Sequence, residues 1–179
     1  GLSRLAEQAP GLRPRTLLDL GGGTGAAVWA AAGLWPSLES ATVLEGSEPV
    51  IALARRLAAG ADSAAVRATR WERTRLGGAT ELPAAEVVTM SYLLGELAGP
   101  TRTALVERAA RQARVVAVFE PGTPAGYARV LQARRELIAA GMGVAAPCPH
   151  DGTCPVTGDD WCHFAARVNR TSRHRSLKG

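Results

Sequence analysis

The segment Leu17-Leu18-Asp19-Leu20-Gly21-Gly22-Gly23-Thr24-Gly25 constrains this chain more than any other, because it reads as a buried strand delivering a tight glycine turn into a helix. The strand would be Arg15 to Leu20, and the helix would begin near Thr24 and run to Leu34. Glycine at Gly21, Gly23 and Gly25 permits positive φ and lets the backbone approach a ligand that a Cβ would push away. The helix amides then face that ligand, so the segment predicts a nucleotide-type site.

Apolar strand-like runs recur and alternate with helical stretches. Ala41-Thr42-Val43-Leu44 ends at Glu45, and a helix from Ser47 to Gly60 would follow, with Ser47 as its cap and Pro49 in its first turn. Ala65-Val66-Arg67 admits a short third strand, and Trp71 admits either a pocket edge or core. Glu86 to Ser91 reads as a fourth strand, about Pro100 to Arg114 as a helix, and Val115 to Phe119 as a fully apolar fifth strand ending at Glu120. A long helix over Thr123 to Ala140 would be ended by Gly141 and Gly143. Continuous apolar strands alternating with helices imply an α/β, doubly wound, mostly parallel sheet. Ligands of such sheets bind beyond the carboxyl ends of the strands. That rule places Asp19 to Gly25, Glu45, Ser91 to Glu96 and Glu120 to Gly122 on one rim.

The Asp-x-Gly-x-Gly-x-Gly form differs from the dinucleotide fingerprint and resembles motif I of S-adenosylmethionine-dependent methyltransferases. That resemblance implies a Rossmann-like methyltransferase fold. In it Asp19 helps to hold the methionine amino end through the loop, and an acid ending the next strand takes both ribose hydroxyls. Glu45 fits that second role, since it ends the second strand about 20 residues after the glycine turn. The plainer alternative is a glycine turn joining any strand to any helix.

With 179 residues the chain is about one domain. No apolar run reaches the roughly 18 residues of a membrane span, and Gly1 to Pro14 lacks a signal-peptide core, so no membrane association and a cytoplasmic, bacterial location are expected. The chain opens on glycine and stops just after a basic run, which suggests truncation at both ends. Five of the 21 basic residues, Arg167, Arg170, Arg173, Arg175 and Lys178, follow Asp160, and none of the 16 acidic ones does. The first 160 residues are therefore formally neutral, and the charge of +5 sits in the tail. Such an end suits a polyanion such as RNA, or it is simply a solvated arm.

All three cysteines fall late, in Pro147-Cys148-Pro149-His150, Cys154-Pro155 and Trp161-Cys162-His163. Three thiols cannot pair off within one chain, and soft thiolates suit zinc or an iron–sulfur cluster. Zinc would take the three cysteines with His150 or His163; a cubane cluster would want a fourth cysteine. Three free buried cysteines are the remaining alternative. We expect residues 1–143 to form the main domain and 144–179 to form a cysteine-rich segment with the basic tail.

These motifs, with Glu120-Pro121-Gly122-Thr123-Pro124-Ala125-Gly126 and the closing Arg173-His174-Arg175, resemble the methyltransferase-like assembly factors of the mitochondrial small ribosomal subunit and their bacterial relatives. The resemblance spans nearly the whole chain. It implies association with small-subunit ribosomal RNA and a [4Fe-4S] cluster, with Cys148, Cys154 and Cys162 as three of its ligands. The fourth family cysteine lies downstream of this chain's end. Two readings of the chain's activity follow: methylation of small-subunit ribosomal RNA, and binding of that RNA as an assembly platform. No Asn-Pro-Pro-Tyr loop follows the fourth strand, and in its place stand Tyr92, able to stack a base, and Glu96, able to accept a proton. A tyrosine there is as readily explained by core packing.

Overall fold

The computed structural model describes residues 1–165, 169 and 171–178. Five strands, β1 (Thr16–Leu20), β2 (Ser40–Glu45), β3 (Arg70–Arg73), β4 (Val87–Ser91) and β5 (Val115–Phe119), form one sheet in the order β3-β2-β1-β4-β5. Every pairing is parallel. The chain winds outward from β1 to β3, returns to β4 beside β1, and winds outward again. The reversal between β1 and β4 is where an open α/β sheet leaves a crevice for a ligand.

Seven helices accompany the strands among the described residues: α1 (Leu2–Gln8), α2 (Ala26–Leu34), α3 (Glu48–Ala59), α4 (Ala64–Arg67), α5 (Gly99–Gln112), α6 (Pro124–Ala139) and α7 (Ser172–Lys178). Alternation along the strands sends Leu17, Val43, Val87 and Ala117 to one face, where they meet Val28 and Ala31 of α2, Ile51 and Ala54 of α3, and Leu2 and Leu5 of α1. Leu18, Leu20, Leu44, Val88 and Met90 point the other way, against Leu105, Val106 and Ala109 of α5 and Ala133 of α6. Both faces of the central strands are thus dry, which is why their sequences read as unbroken apolar runs.

Several expectations need revision. Ala65-Val66-Arg67 lies in the short helix α4, and the third strand comes a few residues later around Trp71. Ser47 occupies the N-cap position of α3, but its side chain makes no capping bond. Helix α1, unforeseen in the sequence, covers the α2 side of the sheet through Leu2 and Leu5. The fifth strand is apolar as read, yet only Ala117 in it is fully buried, because β5 is an edge with sparser cover.

Candidate functional site

The end of β1 carries the glycine turn at the sheet's reversal. Gly21, Gly23 and Gly25 have φ of +63°, +57° and +88°, so all three use the left-handed freedom that the sequence pattern predicted. The Gly21 amide donates to the Leu44 carbonyl at 2.8 Å, and that of Gly25 to the Gly22 carbonyl at 2.8 Å. Gly25 then serves as the N-cap of α2.

Gly22, which the alternating pattern passes over, has the least room of the four. A Cβ there would collide with the Asp19 carboxylate and stand 2.8 Å from Cγ1 of Val43. The turn therefore lies directly on Asp19. That side chain is wholly buried; its Oδ1 accepts from the Thr89 hydroxyl at 2.6 Å, while Oδ2 has no hydrogen-bond partner. An orphaned carboxylate oxygen beneath a loop of amides suits a site completed by a ligand.

Burial drives the Asp19 pKa from its ordinary 3.8 to about 7; the Thr89 hydrogen bond opposes the shift, and the charge of Glu45 adds to it. The folded protein thus keeps this proton over a range where the unfolded chain has released it. The stability it contributes is present below the unfolded value and is lost as pH rises toward about 7. Urea midpoints measured across that interval should show this decline, and Asp19→Asn should flatten it. An unchanged slope in the variant would place the pH dependence elsewhere.

Glu45, at the end of β2, ties the turn to the next loop. Its Oε2 accepts from the Gly23 amide at 3.1 Å and its Oε1 from the Ser47 amide at 2.8 Å. A carboxylate has about four acceptor positions, so two remain for hydroxyls above the rim. Trp71 supports the turn from β3. Its indole N–H donates to the Gly23 carbonyl at 3.3 Å, its ring lies against Gly25, and it is buried in the core.

On the other side of the crevice, Tyr92 and Glu96 follow β4. Tyr92 is 63% exposed with φ of +58°, which removes core packing as its role. Glu96 ends a 3-10 turn, Leu94–Glu96, and is exposed. Glu120 is committed to the fold: its side chain is 1% exposed, Oε2 accepts from Nε of Arg129 on α6 at 2.7 Å, and Oε1 accepts from the Leu94 amide at 2.9 Å.

The cysteine segment docks on α6 and on the loop after β5. Arg134 donates to the carbonyls of His150 and Gly152 at 2.6 and 2.8 Å, and the Trp161 indole donates to the Gly122 carbonyl at 3.1 Å. Tyr127 lies 3.2 Å from Cys154 Sγ. This hydrogen bond pulls the Cys154 thiol below its ordinary range and pushes the Tyr127 hydroxyl up to about 12. Burial first, and then the neighbouring Cys148 and Cys154, push the Cys162 thiol up. Among the described residues no group of three or more His, Cys, Asp or Glu side chains is gathered so as to hold a metal ion. Of the tail cations, Arg173 and Arg175 stand exposed on α7 and Lys178 ends that helix, whereas Arg167 and Arg170 lie outside the described residues.

Cavities of about 430 and 400 Å³ lie away from this rim, one beside Thr16, Glu86 and Arg114 at the opposite ends of the strands, the other beneath α1. The glycine rim itself lies open above the carboxyl ends of the strands, where an open α/β sheet takes its ligand. No helix among the described residues is long and apolar enough to cross a membrane.

The fold and its glycine rim define a methyltransferase-like α/β protein. The glycopeptide N-methyltransferase MtfA in complex with (S)-adenosyl-L-methionine matches with a TM-score of 0.50 at 24% identity, over 63% of this chain and 50% of that one. Its sinefungin complex matches with a TM-score of 0.51 at 24% identity, over 63% and 49%. More particularly, the chain belongs to the family described as mitochondrial small ribosomal subunit Rsm22, whose model matches residues 1–179. The human mitochondrial ribosome assembly protein METTL17 is 29% identical over 174 residues, which cover 87% of this chain and 37% of that protein. This chain therefore spans a little over a third of the length of that relative.

Proposed function

We propose that this chain binds S-adenosylmethionine at the glycine rim and serves, as part of a small-subunit assembly factor, as a platform that docks on ribosomal RNA. The observation that carries the proposal is the four-part cradle of positive-φ glycines, buried Asp19, bridging Glu45 and supporting Trp71, within a chain of a small-ribosomal-subunit family. The residues fit the cofactor: Asp19 would act through the turn on its methionine amino end, the turn's amides would line it, and Glu45 would accept the ribose hydroxyls. When bound, the cofactor supplies an electrophilic sulfonium methyl group.

Methyl transfer to ribosomal RNA, with Tyr92 and Glu96 at the acceptor side, is the second reading. Glu120 cannot take part as a free base, since the fold uses both its oxygens. Tritium transfer from labelled cofactor to isolated small subunits separates the two. Incorporation establishes the enzyme; no incorporation with retained, salt-sensitive subunit binding leaves the platform. We assign the basic tail, Arg167 to Lys178, to the RNA contact and treat residues 144–179 as a unit distinct from 1–143. Replacing Arg173 and Arg175 with alanine should flatten the salt dependence of RNA binding by about 1 to 2 in the log–log slope. An unaltered slope removes the tail from the interface.

The family resemblance also brings a [4Fe-4S] cluster on Cys148, Cys154 and Cys162, with zinc as the alternative. Among the described residues no three His, Cys, Asp or Glu side chains converge on an ion. Stoichiometric iron and sulfide in an anaerobically purified longer version that includes the downstream cysteine would support the cluster, and a colourless, iron-free protein of that length would remove it.

A further inference from the structure

We propose that Tyr92 is a stacking platform for a nucleobase presented to the carboxyl rim, an inference that rests on the adenosyl-site reading above for what lies beside it. Among the described residues Tyr92 is the one non-glycine residue with positive φ. A side chain with a Cβ is disfavoured there, and a bulky aromatic especially so. Folding gains little from burying the ring in compensation, since Tyr92 is 63% exposed.

The backbone is nevertheless fixed on both sides of it. The Tyr92 amide donates to the Phe119 carbonyl at 2.8 Å. Leu93 and Leu94, which follow, are buried, and the Leu94 amide is held by Glu120 at 2.9 Å. Neighbours anchored in the core therefore hold an aromatic ring outside it, in a conformation it would not choose. Strain of that kind persists where surrounding structure over-determines it, and it concentrates at ligand sites.

Placement gives the ring its partner. Leu20 of β1 pairs with Met90, and Ser91 pairs with Phe119, so Tyr92 stands between the glycine turn and the Glu120 loop. Leu93 lies against Gly21 itself. An exposed ring at that point offers a flat apolar face beside the cofactor cradle. Bases stack on such faces with little regard for sequence. The family is described as one of the small ribosomal subunit, so an unpaired RNA base is the planar group we assign to this face.

The test compares wild type, Tyr92→Phe and Tyr92→Gly for binding of single-stranded oligoadenylate about ten nucleotides long and of an abasic oligomer of equal charge. S-Adenosylhomocysteine binding and thermal midpoints are measured alongside. Wild type and Tyr92→Phe should prefer oligoadenylate about tenfold, and Tyr92→Gly should lose the preference. The glycine variant should keep its thermal midpoint or gain a few degrees, because glycine accepts this φ, and it should bind S-adenosylhomocysteine as wild type does. A preference retained by Tyr92→Gly, no preference in wild type, a fall of several degrees in the glycine variant, or a loss of its S-adenosylhomocysteine binding would each overturn the proposal. Wild type that shows a Tyr92-dependent preference for bases but binds no S-adenosylhomocysteine would support the platform and overturn the adenosyl reading instead.

Discussion

Replacing Glu120 with alanine should lower the unfolding free energy by about 3 kcal/mol, the cost of leaving one member of a buried ion pair alone. The carboxylate is almost fully enclosed, and Arg129, its partner on α6, is 22% exposed, so solvent can recover only part of the loss. The same change strips the Leu94 amide of its acceptor at the start of the 3-10 turn. A thermal midpoint lower by about 10 °C is the corresponding reading for a domain of this size. Glu120→Leu combined with Arg129→Leu should recover much of the deficit by removing the unpaired charge, although the Leu94 amide stays unsatisfied. If the single variant melts within about a degree of wild type, then the Glu120 bridge between β5, α6 and the rim contributes little.

Gly22→Ala should be the most damaging single methyl group in the rim. The new Cβ meets the Asp19 carboxylate and Val43, both held in the interior of the sheet, so the turn rather than its neighbours must move. Overpacking of this kind costs about 2 kcal/mol. Displacing the turn also separates the Gly23 amide from Glu45. We expect S-adenosylhomocysteine affinity to fall by about tenfold or more, equivalent to the loss of at least one hydrogen bond to the cofactor. Gly33→Ala supplies the control, since nothing lies within 4 Å of a Cβ at that helical position. Equal losses in the two variants would mean that the crowding at Gly22 has no consequence for the site.

The parts of this molecule legible in its sequence are those set by local backbone chemistry. Three glycines alternating after an apolar strand require positive φ, and that is how Gly21, Gly23 and Gly25 are used. An acid ending the neighbouring parallel strand comes to the same rim, because parallel strands place their carboxyl ends side by side. Glu45 accordingly reaches the Gly23 amide. The rest depended on contacts between distant residues. Gly22 matters because Asp19 points up beneath it, and residue spacing carries no sign of that close approach. Glu120 looked available at the rim until Arg129 and the Leu94 amide claimed its oxygens. Ala65-Val66-Arg67 was too short for its period to separate helix from strand, and packing beside β2 and α3 settled it as α4. The cysteine clustering was visible, but convergence on a metal is a matter of side-chain geometry that spacing does not fix.

Calorimetric titration of the purified chain with S-adenosylhomocysteine, run in parallel on Glu45→Ala, tests the cradle most directly. Wild type should bind one equivalent with a dissociation constant on the order of 10 μM, within the usual range for small-molecule sites of enzymes. The variant should bind far more weakly, because it loses both the anchor of the turn and the acceptor for the ribose. No binding by wild type at about millimolar ligand, or equal binding by the two proteins, would contradict the account.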